Sequence, residues 1–354
     1  MRPPPIKGQV AVLKPIIDKI SITYIIADPD LRKALIESLL QEIEAGGHWH
    51  HGPFKIGGVA YKASAQLVFP SSGHTVRVQA GPTKKTTTHH LRLEFNPTAL
   101  GAPGIAFLKA QLEALVLDGL SFADIIVNGK VTRVDIAVDI VGVHLADLLV
   151  TTKTEGKQHW YLSDKGKPET GYLGMKKGDK NAKWTAYNKR QQLKDNPNHP
   201  ETQAYGGLSR TRIEYRAAPM KAFPELVSLK SPFTEISLAY PKAPKGVKSY
   251  EWTFFIDSCV RRGQTAALAM LPGGKLRNIY QKSLDTAHES FWRPGKIWEA
   301  WPDALLLRSR PKIESCPRQI AVDCKSPSPN SLVVRLTHGP APRLQSTAIG
   351  KGCK

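Results

Sequence analysis

The sequence predicts an α+β fold: a mainly antiparallel sheet carrying the functional residues, flanking helices and a disordered basic C-terminal tail. Three observations lead there. Segments with period-two alternation follow one another at 59–69, 74–81 and 89–95. Helical patterns gather elsewhere, at 28–47, 103–117 and beyond 250. Two further alternating segments, 131–142 and 209–219, carry charges on one face and apolar residues on the other. Strands in runs, with helices outside those runs, indicate antiparallel neighbours and α+β architecture.

In chain order, the segment up to about Pro15 is expected to be flexible and ISITYII to be the first strand. DPDLRKALIESLLQEIEAGG reads as a helix, with Asp28 or Asp30 as N-cap and Gly46-Gly47 as its stop. VAYKASAQLVF, HTVRVQAG and HHLRLEF are the next three strands, followed by a helix over 103–117. HLADLLV suggests a short helix. The segment 171–192 reads as two strands joined by a basic, glycine-containing turn. After Pro219 the chain turns loop-rich and then helical, in YEWTFFIDSCVRRGQTAALAML and KLRNIYQKSLDTAHESFW. From about Arg308 it is punctuated by Pro, Ser and Gly with scattered basic residues. The expected division is a flexible N-terminus (1–15), a catalytic part (16–219), a helical part (220–307) and a disordered basic tail (308–354).

The charged strands suggest chemistry. In VTRVDIAVDIVG, strand alternation puts Arg133, Asp135, Ala137 and Asp139 on one face and Val134, Ile136, Val138 and Ile140 on the other. Asp135 and Asp139 then lie roughly 13 Å apart on a face dry enough for Ala137. Buried carboxylates are normally paired or metal-bound. Either a metal role or an Asp135–Arg133 pair holding the sheet edge fits. In SRTRIEYRAAP, Arg210, Arg212, Glu214 and Arg216 share a face opposite Thr211, Ile213 and Tyr215. One acid among guanidiniums suits a phosphate-handling surface that also holds a divalent cation. A self-neutralising outer strand is the bland alternative. In the 171–192 hairpin, Thr185, Tyr187 and Lys189 share a face, opposite Trp184, Ala186 and Asn188. A tyrosine beside a lysine can attack a phosphodiester if a cation helps the phenol, whose ordinary pKa is about 10.

Four motifs in order resemble the replication initiation factor family, the rolling-circle initiators of certain plasmids and filamentous phages. They are Arg133-Val134-Asp135-Ile136-Ala137-Val138-Asp139, Tyr172-Leu173-Gly174, Tyr187-Asn188-Lys189 and Arg212-Ile213-Glu214-Tyr215-Arg216. The resemblance implies a nickase that cuts one origin strand through a tyrosine, stays 5′-linked to it and leaves a 3′-OH primer. It implies Mg²⁺ or Mn²⁺ held by Asp135 and Glu214, with Asp139 a third ligand. Tyr187 and Tyr172 are both candidates for the nucleophile, Tyr187 being preferred because Lys189 and other basic residues crowd its strand. Arg133, Arg210, Arg212, Arg216, Lys176, Lys177, Lys183 and Arg190 are the expected DNA contacts. Asn188 stands where an acid is usual, and the Y-x-G segment continues as MKKGDKN rather than with serine. The implied partners are origin DNA, single-stranded or supercoiled, and a host helicase or polymerase. The two cleavages that initiation and re-closure need call for two tyrosines or for a homodimer.

Composition agrees with a nucleic-acid partner. The 354 residues carry a formal net charge of +20, which attracts a polyanion at long range. A non-specific RNA binder would share that charge, but it needs no carboxylates among strand-borne arginines. Length alone suggests two domains. No apolar run approaches the 18 to 20 or so residues of a membrane span, and MRPPPIKGQV has no signal-type core, so a cytoplasmic location in the host cell is expected. Cys259, Cys316, Cys324 and Cys353 match neither a zinc pattern nor C-x-x-C and read as free thiols. His48 and His50 around Trp49 mimic a His-hydrophobe-His metal site but sit far upstream of the carboxylates. His90, Arg92 and Glu94 form the polar face of another strand, which either joins the active surface or is simply half exposed. A DNA-binding regulator without cleavage and a metal-dependent nuclease using water remain the alternatives.

Overall fold

The computed structural model describes residues 10–306, apart from 57, 71–72, 116–118, 154–156, 176–181, 195–207 and 288–290. Strands β1 to β7 are Ala11–Val12, Ile16–Tyr24, Trp49–His51, Lys55–Ile56, Val59–Val68, Thr75–Pro82 and Leu91–Phe95. Strands β8 to β15 are Lys130–Val141, Leu149–Thr152, Lys157–Leu162, Pro168–Met175, Trp184–Asn188, Arg210–Ala217, Lys221–Ala222 and Ile236–Ala239. Helices α1 to α4 are Pro29–Ala45, Pro97–Leu115, Phe122–Asn128 and Lys189–Lys194. Helices α5 to α9 are Ser249–Arg262, Gln264–Ala269, Gly274–Thr286, Pro294–Glu299 and Trp301–Ala304.

One large antiparallel sheet runs in the order β10-β11-β12-β13-β8-β2-β7-β6-β5-β3, and β9 and β15 form a separate two-stranded sheet. The protein is α+β. Alternation gives the large sheet two unlike faces. The apolar face carries Ile20, Ile22, Leu91, Leu93, Val76, Val78 and Leu67 under Leu35 and Leu39 of α1 and Leu108 and Leu112 of α2. Further along, the same face carries Trp184 and Ile213, backed by aromatic residues from the C-terminal part. The Trp184 ring lies 5.8 Å from that of Phe233, which meets Trp292 at 5.8 Å and Trp298 at 6.0 Å. Trp292, Trp298 and Trp301 donate to the carbonyls of Ile236, Leu229 and Leu226, whereas the Trp184 N–H is buried without a hydrogen-bond partner. Large buried aromatics with satisfied N–H groups contribute strongly to packing. A second core joins α5, α6 and α7 through Trp252, Phe255, Leu268 and Tyr280.

Most expected elements form. Asp28 caps α1 by accepting from the Asp30 backbone N–H at 2.9 Å, and Gly46 ends it at φ 81°. Five differences stand out. Ala11–Val12 pairs with Ile140 and Val141, inside the segment expected to be flexible. The α2 helix starts six residues early, at Pro97, because Gly101 turns the chain (φ 61°, ψ −175°) between two helical stretches. HLADLLV gives only a 3₁₀ turn at Leu145–Asp147 before β9. Strand β10 was not foreseen, and Lys189 begins α4 rather than extending the strand before it. The expected tail lies outside the described residues.

The hairpin of β10 and β11 has one tight contact. Gly171 faces Trp160, and a Cβ there would come within 2.4 Å of the indole ring. Gly171→Ala should therefore destabilise the fold by about 1–3 kcal/mol in urea unfolding. Unchanged stability would show that Trp160 is free to move aside.

Candidate functional site

The site lies on the polar face where β8, β12 and β13 run side by side. The register sets Arg212 opposite both Asp139 and Tyr187, Glu214 opposite Ala137 and Thr185, and Arg216 opposite Asp135. Tyr172 continues the Glu214 row, opposite Thr185. Three of the four motif strands thus meet on one face, and the fourth adjoins them.

Asp139 is fully buried, with Arg210 and Arg212 also buried around it. Arg210 Nε donates to its Oδ2 at 2.7 Å, and Arg212 donates through Nε at 2.6 Å and Nη2 at 3.0 Å. Arg212 Nη1 also reaches Asp18 Oδ1 at 2.5 Å. Burial alone would lower the pKa of Arg212, but Asp139, Tyr187 and Asp18 outweigh it and keep the guanidinium firmly charged. These side chains form a closed ion cluster. Arg210 and Arg212 were expected to hold DNA, but their burial leaves them no surface for a phosphate. Asp139 was expected to take a metal, and its oxygens are occupied by guanidinium protons.

Asp135 is engaged in a similar way. Arg133 Nε donates to both of its oxygens, at 2.9 and 3.1 Å, Arg133 Nη2 adds a further bond, and Arg216 Nε donates at 3.2 Å. The Arg133–Asp135 pair that the sequence left open is thus present. Arg133 and Arg216 differ from the inner arginines, their side chains being 29% and 34% exposed, so both can also meet an anion.

Glu214 lies in a strongly perturbing environment. Burial first, then the negative charges of Asp18 and Asp135, raise its carboxyl to about 7, while Arg212 and Arg216 pull the other way. The Tyr187 hydroxyl lies 3.5 Å from Glu214 Oε2, at the long limit of a hydrogen bond. Tyr187 is buried, which pushes its phenol well above the usual value, although Arg212 opposes the shift. Lys189 Nζ sits 5.9 Å from the centre of the Tyr187 ring and donates to Gln192 at 2.8 Å.

Mg²⁺ and Mn²⁺ need several hard oxygen ligands with lone pairs to spare. Asp139 and Asp135 have theirs engaged by arginine. Among the described residues, no group of three His, Cys, Asp or Glu side chains could hold a metal. The expected ligand set therefore does not fit a divalent cation as these side chains stand.

The remaining expected contacts are divided. Arg190 is exposed on α4. Lys183 is turned to Glu235 at 2.7 Å and over the Tyr215 ring, away from Glu214. Lys176 and Lys177 lie outside the described residues. His48 directly precedes β3 and His50 lies on it, at the far end of the sheet, with the His48 ring against Phe107. Glu94 is held by Arg77 at 3.0 Å and Arg92 at 2.7 Å, on β7. Asp18 is the acid that sequence reasoning missed; it is the unpaired position at a shift in the β2–β8 register, where Ile17 meets Ile136 and Lys19 meets Asp135. Alternation could not reveal it, because a bulge breaks alternation. Among the described residues, no helix is long and apolar enough to cross a membrane.

No family model matches the chain. A replication initiation protein from Staphylococcus aureus is 31% identical to it over 107 residues. That match covers 30% of this chain and 30% of the relative's length.

Two outcomes follow from the geometry. Asp139→Ala leaves two guanidiniums buried without their anion and should cost about 3–5 kcal/mol in denaturant unfolding. A variant of normal stability would contradict the ion cluster. Glu214 binds its proton more tightly folded, at about 7, than at its ordinary 4.5. The native state therefore holds more protons across that window, and stability falls as pH rises through it. Glu214→Gln should remove this fall and be the more stable form at pH 8, by on the order of 1–3 kcal/mol. A Gln variant less stable than wild type at pH 8 would refute the raised carboxyl.

Proposed function

We propose that this chain initiates DNA replication, binding origin DNA and nicking one strand by the rolling-circle route through Tyr187. Three things support the initiation role: the named relative, the four ordered motifs and the net charge of +20. The nicking step rests on one observation, the Tyr187 hydroxyl beside a carboxyl whose pKa lies near neutrality. A nucleophile beside a general base that titrates near the working pH is a recurring catalytic arrangement.

In this reading Tyr187 Oη attacks the phosphorus of a phosphodiester while Glu214, ionised, takes the phenol proton. The new bond links Tyr187 to the 5′-phosphate. The bond from phosphorus to the 3′ oxygen breaks, and Glu214 returns the proton to that oxygen as the 3′-OH primer leaves. A buried phenol is a poor acid, so removing its proton as the bond forms matters more here than a free phenolate would. Arg133 and Arg216 are the half-exposed cations placed to meet the phosphate. Arg212, held rigidly by Asp139 and Asp18, supplies fixed positive charge beside the phenol.

The test uses labelled supercoiled or single-stranded DNA bearing the replicon's origin, in buffer containing Mg²⁺ or Mn²⁺. After boiling in detergent, label should migrate with wild-type protein and with Tyr172→Phe, and be absent with Tyr187→Phe. An adduct lost in Tyr172→Phe and kept in Tyr187→Phe would move the nucleophile to Tyr172. Nicking without an adduct would indicate attack by water.

A further inference from the structure

Three exposed aromatic side chains stand together beside the candidate site. His159 and Tyr161 lie on β10 and Tyr172 on β11. The register sets His159 opposite Tyr172 and Trp160 opposite Gly171. Trp160 packs toward the core, so His159, Tyr161 and Tyr172 project from the other face. Tyr161 is 57% exposed and Tyr172 36%. Their ring centres are 5.9 Å apart at 80°, and His159 meets Tyr161 at 4.7 Å and 77°. Edge-to-face rings hold one another in place while leaving ring faces open to solvent.

The platform is continuous with the site. Tyr172 opposes Thr185, and Thr185 opposes Glu214, so two strand spacings of about 4.8 Å separate the Tyr172 row from Glu214. Exposed cations flank it: Lys165 and Lys167 on the β10–β11 turn and Arg190 on α4. Aromatic faces interleaved with positive charge suit unpaired bases, whose π-faces stack without regard to sequence while the cations track the backbone. A duplex offers no such faces, because its bases are already stacked.

We propose that His159, Tyr161 and Tyr172 form a stacking platform for the bases of single-stranded DNA, which leads the strand toward Glu214 and Tyr187. The proposal rests on the reading above only in taking DNA as the ligand. It makes the unpaired strand the substrate and gives Tyr172 a stacking task.

The experiment measures affinity of the full chain for fluorescent oligothymidylate and for a duplex of equal length, across a range of salt. Tyr161→Ala and Tyr172→Ala should each weaken oligothymidylate binding about 5- to 100-fold. Duplex binding should be unchanged. Tyr161→Phe should bind like wild type, because the ring remains. The slope of log affinity against log salt should be unaltered in every variant, because no charge is removed. Far-UV circular dichroism checks folding; Tyr161 is exposed enough that its loss leaves the core intact. Wild-type affinity in Tyr161→Ala, or equal losses in Tyr161→Phe and Tyr161→Ala, would overturn the platform. Weakened oligothymidylate binding with no Tyr187 adduct would leave the platform standing and remove the nicking step. An adduct with unweakened binding would do the reverse.

Discussion

Asp139, enclosed by Arg210 and Arg212 with no access to solvent, is the interaction on which the rest of the site depends. It binds β8 to β13 through side chains where the ladder already binds them through backbone. Arg212 extends the tie to Asp18 on β2. A buried charge cluster of this kind adds little to stability over an apolar replacement, but removing one member is expensive. Its consequence is geometric. It fixes Arg212 beside the Tyr187 ring, fixes Asp18 beside Glu214, and leaves the outer arginines, Arg133 and Arg216, at the surface.

The two faces of the sheet divide the work. Along β12 and β13, Trp184, Ala186 and Ile213 on the apolar face alternate with Thr185, Tyr187 and Glu214 on the polar face, so residues that anchor these strands are chain neighbours of the residues that act. Rigid strands held this way position side chains more tightly than loops do. On the polar face, burial first and then the charges of Asp18 and Asp135 raise the Glu214 carboxyl to about 7, which is how a carboxyl becomes a base useful near neutral pH. The same face runs outward through Thr185 to the exposed aromatic hairpin, so binding surface and chemistry share one plane.

Much of this was legible in the sequence. Alternation alone separated Arg133, Asp135 and Asp139 from Val134, Ile136 and Val138, and grouped Arg212, Glu214 and Arg216, and the register agrees with both groupings. The capping of α1 by Asp28 was readable because Ser, Thr, Asp and Asn signal helix starts locally. Partnership was not readable. Which arginines close on which aspartates depends on register between segments some 70 residues apart, as in the Asp139–Arg212 pair. The same charged pattern therefore suggested metal ligands and phosphate contacts where the fold makes buried ion pairs. Asp18 was hidden by a register shift, and the Tyr161 hairpin by the modest pattern of KQHWYL, whose role appears only once Gly171 admits Trp160 on the opposite face.

The most direct measurement of the central claim is peptide mapping of the wild-type protein after reaction with origin DNA, nuclease trimming and trypsin digestion. Trypsin releases residues 184–189, WTAYNK, as one peptide and leaves Tyr172 on another. Nucleotide mass on Tyr187 within WTAYNK is the expected result. Mass on the Tyr172 peptide, or on neither peptide while the DNA is nevertheless cut, would contradict the pairing of Tyr187 with Glu214 as the reacting groups.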